Sequence, residues 1–296
     1  MSGVIQNPVF LLLITGTLIG FNFPLGKIAS DAGVSPMVWA MIISLSVSAM
    51  LLPYLAAKRR LSAPRGRTAR YVVVSGLISF VAPNVLLFSV IPHVGSGFTG
   101  LMFALSPVFT LSLAGMYRLK GPNRIGIFGI ALGLAGAAVV AVTRGAGPEA
   151  PPIIWIVSAL LIPLALACGN VYRTLDWPDD ASPDSLAFWS HSFSGVIILL
   201  LLVFTNGTLP LNELMHAPWA ALAQGLVAGV AFPVFFRLQR YGGPVLLSQI
   251  GYVAAAIGLI AATVFLGESY SFMTWIGATV IAVGIAATVL SQIMDI

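Results

Sequence analysis

Cysteine occurs once in 296 residues, at Cys168, so neither an intrachain disulfide nor a metal site framed by cysteines is possible. A lone thiol in an apolar run is a small packing residue. Histidine occurs at three scattered positions, His93, His191 and His216, no two of them at ligand spacing, so no metal and no cofactor is expected. The same scarcity counts against an enzyme acting on lipid, which would need a nucleophile set or a metal. Charge is rare as well: Lys, Arg, Asp and Glu make up 8% of the chain against 58% hydrophobic residues, and mean hydropathy is +1.00. Soluble domains carry about 25% charged residues, and these values exclude one.

What the chain has is apolar length. A hydrocarbon core of ~30 Å is crossed by ~20 apolar residues in a helix, and ten runs of that order can be marked: Pro8 to Ser30, Pro36 to Ala57, Tyr71 to Pro92, Gly95 to Tyr117, Ile125 to Thr143, Ile153 to Leu175, Ser185 to Phe204, Pro218 to Leu238, Pro244 to Leu266 and Phe272 to Ile293. The expected class is therefore all-α, a polytopic protein of ten transmembrane helices. Twelve of the fourteen Lys and Arg residues fall in or beside alternate gaps: Lys58, Arg59, Arg60, Arg65, Arg67 and Arg70; Arg118, Lys120 and Arg124; Arg173; Arg237 and Arg240. Only Lys27 and Arg144 lie at the opposite ends of spans. The positive-inside rule then puts both termini in the cytoplasm, which requires an even number of spans. The first span lacks a basic leader and exceeds a signal's apolar core, so it is expected to remain in the mature chain. Topology accounts for the net charge of +5, and nucleic acid is not an expected partner. A small-molecule substrate and membrane lipid are, with a monomer as the expected state.

The spans repeat. Pro36 and Ser185, Tyr71 and Pro218, Gly95 and Pro244, and Ile125 and Phe272 begin corresponding spans at an offset near 148. Gly129 and Gly136 correspond to Gly277 and Gly284, and Asn22 to Asn170. Residues 1–148 and 149–296 thus read as two five-helix units packed as one domain, joined at Pro148 to Pro152. Five crossings per unit force the second to insert upside down, an inverted repeat suited to alternating access.

Charge is nearly absent from the spans, and the interior is expected to be an uncharged cavity. Lys27 lies about a turn from the outer end of the first span, where it either snorkels or serves a gate. Glu268 falls in the outer turn before the last span, where solvent is the default. Recognition is left to neutral groups. Phe21 and Asn22 stand beside Pro24 in the first span, Asn84 beside Pro83 in the third, Asn170 in the sixth, and Pro233 interrupts the eighth. In the fourth span Thr99, Met102, Phe103 and Ser106 share a face ahead of Pro107, and Ser248, Gln249 and Tyr252 hold the matching place in the ninth. Trp189 is an interfacial anchor or a lining residue; His191 bonds a local serine or a substrate. The expected lining is Phe21, Asn22, Asn84, Met102, Ser106, Asn170, Trp189, His191, Gln249 and Tyr252, with Pro24, Pro83, Pro107 and Pro233 as hinges or ladder breaks.

With ten spans in duplicated halves, Gly20-Phe21-Asn22-Phe23-Pro24 in the first span and the Gly267-Glu268 turn before a glycine-bearing last span, the chain resembles the drug/metabolite transporter superfamily and its EamA-like ten-helix members. It is most similar to the bacterial aromatic amino acid exporter group (YddG-like). That resemblance implies export of phenylalanine, tyrosine, tryptophan and similar metabolites through a central cavity at the bacterial inner membrane. Lys120-Gly121-Pro122 departs from a matching Gly-Glu turn in the first half, and no buried acid matches that of the four-helix multidrug relatives, which leaves proton coupling open. A broad exporter of drugs or other metabolites, and a non-transporting receptor or scaffold, remain as alternative readings.

Overall fold

The computed structural model describes residues 7–117, 123–145, 150–208 and 210–294; Arg118, Lys120, Gly121, Pro122, Pro148 and Glu149 lie outside them. Among the described residues the chain is helical throughout: α1 (Pro8–Asp31), α2 (Pro36–Ala57), α3 (Arg67–Ser75), a π-helical stretch (Gly76–Val81), α4 (Ala82–Val94), α5 (Ser96–Phe103), α6 (Ser106–Met116), α7 (Arg124–Gly145), α8 (Ile153–Leu175), α9 (Pro183–Asn206), a 3₁₀ turn (Leu211–His216), α10 (Pro218–Ser248), α11 (Ile250–Leu266) and α12 (Phe272–Met294). Seven helical stretches are long and apolar enough to cross a membrane, and three shorter apolar helices lie among residues 124–140, 250–266 and 272–284.

Proline and small polar residues start the helices. Asn7 accepts from the backbone N–H groups of Val9 at 2.9 Å and Phe10 at 3.2 Å, and Pro8, Pro36, Pro183 and Pro218 each occupy a first turn, where a missing N–H costs nothing. Glycines in the left-handed region stop α9 at Gly207 and α11 at Gly267. Gly243, at φ 69° and ψ −176°, turns the chain inside the stretch assigned as α10, so the eighth and ninth spans meet there. The outer wall is apolar, with Phe204 89% and Trp219 81% exposed, as a bundle solvated by lipid chains requires.

The expected ladder breaks divide into two kinds. Helices α1 and α10 continue through Pro24 and Pro233: each proline leaves one ladder bond unmade, and neighbouring helices hold the helix on either side. The third span does change, widening to a π-helix just before Pro83, and the fourth breaks at Ala104–Leu105 ahead of Pro107. The ninth breaks at Gln249 with no proline at the break.

Packing runs in reciprocal pairs. Helix α1 packs on α10 and α11, while α8 packs on α4 and α6; α2 packs on α9, and α7 on α12. The α7–α12 contact is closest at its glycines: a Cβ on Gly136 would lie 2.6 Å from the Gly277 carbonyl oxygen, and one on Gly284 would lie 2.5 Å from that of Gly129. Small residues are what bring membrane helices into backbone contact.

Candidate functional site

Helices α1, α4, α5, α6, α8, α10 and α11 and the π-helical stretch converge on a cavity of about 60 Å³. That holds roughly two waters and falls far short of the ~300 Å³ at which drug-sized pockets begin. Much of its wall is aromatic, from Phe23, Phe80, Phe88, Phe103, Phe232 and Phe235. Phe23 meets Phe103 edge-on at 5.5 Å and Phe80 meets Phe232 edge-on at 5.7 Å, the geometry ring quadrupoles favour.

The cavity carries a charge, which corrects the expectation of an uncharged one. Arg173, read from sequence as part of the cytoplasmic loop charge, is 2% exposed and lines the cavity from the last turn of α8. Its guanidinium lies 4.9 Å from the Phe235 ring centre and 5.5 Å from that of Phe80. Nε donates to Gln239 Oε1 at 3.2 Å and Nη2 to Asn170 Oδ1 at 2.7 Å. Among the described residues no carboxylate lies in salt-bridge range of it, and its hydrogen bonds run from Nε and Nη2, none from Nη1. Cation–π contacts and two charge-assisted bonds offset part of the cost of burying an ion.

Of the residues expected to line the site, Asn22, Asn84, Ser106 and Asn170 face this cavity, as does Pro83, expected as a hinge or ladder break. Asn22 Oδ1 accepts from Gln224 Nε2 at 2.8 Å, Asn84 donates to the Phe80 carbonyl at 2.8 Å, and Asn170 Nδ2 donates to Thr110 Oγ1 at 3.4 Å. Phe21 does not line it: at two residues from Phe23 it falls on another face of α1. Met102, Gln249 and Tyr252 are buried behind the wall. Gln249 sits at the break between two lining residues, Ser248 and Ile250, and both its amide atoms lack a partner among the described residues. His191 packs on Phe80 at 4.2 Å and Phe232 at 4.3 Å, with neither ring nitrogen hydrogen-bonded; it supports the wall from outside. Trp189 is remote, donating to the Ser62 carbonyl at 3.0 Å in a polar cleft at the basic end of the bundle.

Both ends above and below the cavity are tied by polar contacts. At the basic end Asp176 accepts from Arg67 at 3.2 Å, from Arg70 at 2.5 Å and from the Tyr172 hydroxyl at 2.7 Å. Burial pushes its carboxyl pKa up, but these bonds more than offset that and hold it below the usual carboxylate range. At the opposite end Glu268 accepts from Ser96 N at 2.9 Å, Ser96 Oγ at 2.7 Å, Gly97 N at 3.2 Å and the Tyr270 hydroxyl. Glu268 is therefore half-buried as the cap of α5, not solvated as expected, because an N-terminus offers unpaired N–H groups and a positive dipole end. Burial again raises its pKa and the four bonds lower it further, for a net fall. Glu213 accepts from Ser35 N at 2.7 Å in the same way at the start of α2. Lys27 pairs with Asp31 one turn on.

The profile of the EamA-like transporter family matches residues 6–142 and again 153–290. The chain is 26% identical over 97% of its length, and 93% of the relative's, to a probable terminal-alkyne amino-acid exporter of Streptantibioticus cattleyicolor. It is 21% identical over 87% of its length, and 82% of the relative's, to the uncharacterized inner membrane transporter YedA of Escherichia coli. A solved crystal structure superposes with a TM-score of 0.65 over 94% of this chain and 98% of that one, at 19% identity, a likeness of fold.

Proposed function

The chain belongs to the EamA-like transporter family, and from that premise we propose that it exports amino acids, aromatic or otherwise hydrophobic, and related metabolites across the bacterial inner membrane by alternating access. The two halves, 1–148 and 149–296, act as inverted five-helix units with both termini in the cytoplasm. The observation that carries this reading is a cavity walled by both halves and tied shut at each end by bonds between them, at Asp176 with Arg67 and Arg70 and at Glu268 with Ser96. Opening one end while the other stays tied exposes the same wall to one side at a time.

Reciprocal packing supports the inverted relation. In an isologous contact each partner offers the same positions, and Gly129 faces Gly284 while Gly136 faces Gly277, the exchange that an in-plane two-fold axis demands. The name of the Streptantibioticus relative supports amino acids as the cargo class, and the ring-lined wall supports a hydrophobic side chain. Asn22, Asn84, Ser106 and Asn170 supply the polar contacts. The fixed cation in the cavity favours this reading over broad drug export, since promiscuous sites use pliable surfaces.

Counterflow in proteoliposomes tests it. Vesicles loaded with unlabelled phenylalanine are expected to take up labelled phenylalanine, with leucine and tyrosine competing and lysine and glutamate not. Absence of counterflow for every amino acid in such a panel would discard the proposal.

A further inference from the structure

We infer that Arg173 and Ser79 form a receptor for a carboxylate group, so that the cavity selects apolar monocarboxylates and does not require an ammonium group on them. This deepens the reading above and rests on it only for the cavity being the substrate site.

Two unfilled donors point to it. Arg173 Nη1 makes neither of that guanidinium's hydrogen bonds, which run from Nε and Nη2, and Ser79 Oγ is buried with no partner among the described residues. Both residues line the cavity. They flank one spot: a Cβ built on Gly169 would lie 3.1 Å from Arg173 Nη1 and 2.4 Å from Ser79 Oγ. Only a residue without a side chain lets Ser79 Oγ and Arg173 Nη1 pack this closely against the same point of α8. Ser79 is brought to it by the π-helical stretch Gly76–Val81, the kind of local widening that recurs at functional sites. A carboxylate seated between them accepts from the guanidinium through one oxygen and from the hydroxyl through the other, and it supplies the counter-charge that no described carboxylate provides within salt-bridge range of Arg173.

The other end of an amino acid meets neutral acceptors only, such as Asn84 and Ser106. Among the described residues lining the cavity there is no Asp or Glu. The carbonyl oxygens of Asn22 and Asn170 already accept from Gln224 and Arg173, and a second cation in so small a space is repelled by the first. The cavity of about 60 Å³ is too small for the apolar remainder of the guest, which meets Phe23, Phe103 and Phe232 once one end opens.

The test is binding of two analogues to the whole detergent-solubilised protein by isothermal titration: 3-phenylpropanoate, which keeps the carboxylate, and phenethylamine, which keeps the ammonium. A hydrogen-bonded ion contact is worth about 1.5–3 kcal/mol, so 3-phenylpropanoate is expected to bind at least about tenfold more tightly. Arg173→Met should erase that preference, and Ser79→Ala should weaken 3-phenylpropanoate alone. Equal binding of the two analogues by the native protein, or binding of neither, overturns the inference without any variant having to fold. Phenylalanine counterflow is scored in parallel: tight 3-phenylpropanoate binding without phenylalanine flux sinks amino acid export and leaves the carboxylate receptor standing.

Discussion

Gln249 holds both atoms of its amide in the interior without a partner among the described residues, at the break between α10 and α11. An unsatisfied buried amide costs about 1–3 kcal/mol, and such a cost persists where a ligand uses the group. Gln249→Met is therefore expected to raise the melting temperature while cutting phenylalanine flux several-fold; a variant that melts higher with flux intact would make the amide idle. Gly169→Ala places a methyl 2.4 Å from Ser79 Oγ and should reduce flux by at least about tenfold with little change in fold, measured as transport per correctly inserted molecule. Polar lining residues were legible in the sequence because Asn22, Asn84, Ser106 and Asn170 stand out in apolar runs. Their aromatic neighbours were not, since nothing in a sequence with 17 phenylalanines marks Phe80 or Phe235 as facing inward. Arg173 was hidden by its position: two residues before the end of a span, a guanidinium reaches either the interface or back into the bundle, and charge patterning favours the former.

At the level of elements, Glu268 joins the turn before α12 to the first turn of α5. Its folded pKa is depressed below the unfolded value, so the stabilisation is complete above the ordinary carboxylate range and is lost as pH falls through the lowered folded value. The melting temperature is expected to drop on acidification from roughly pH 7 to pH 3, with Glu268→Gln starting lower and falling less steeply. Asp176 has the same sign, and Asp176→Asn should flatten the remaining slope; a native-like acid limb in both variants would show that neither carboxylate holds its end shut. At the α7–α12 seam, Gly136→Leu puts a branched side chain where 2.6 Å is available to a Cβ and should destabilise by several kcal/mol, read as a lower melting temperature in detergent. Helix positions were legible from apolar length and initiating prolines, and the observed limits of α2 and α8 coincide with the marked spans. Breaks were less so: a proline shows where an N–H is missing, but neighbouring helices decide whether the helix continues, as it does at Pro24 and does not before Pro107.

For the molecule as a whole, a carboxylate site without a matching acid separates two kinds of cargo electrically. Export of a monoanion moves one negative charge outward, and export of a zwitterion moves none. An inside-negative potential contributes ~2.3 kcal/mol per charge per 100 mV. Efflux of 3-phenylpropanoate is thus expected to rise when a potassium diffusion potential is imposed on vesicles, whereas phenylalanine efflux stays flat; the same response from both would rule out this charge accounting. Duplication was the most readable property of the sequence, because span spacing is a sum over many residues, and the family profile matches each half. The site was less readable because it depends on a few side chains brought together from both halves.

The bonds that tie the bundle's ends have a consistent polarity. Glu268, Glu213, Asp176 and Asp179 all belong to the second half, and their partners Ser96, Gly97, Ser35, Arg67 and Arg70 to the first. Eleven of the fourteen basic residues precede position 149 and eight of the nine acidic ones follow position 148. Two polypeptides co-expressed from a gene divided at that point would attract one another as unlike partners while each repelled its own kind, so the split protein should assemble as a heterodimer and scarcely at all as two homodimers.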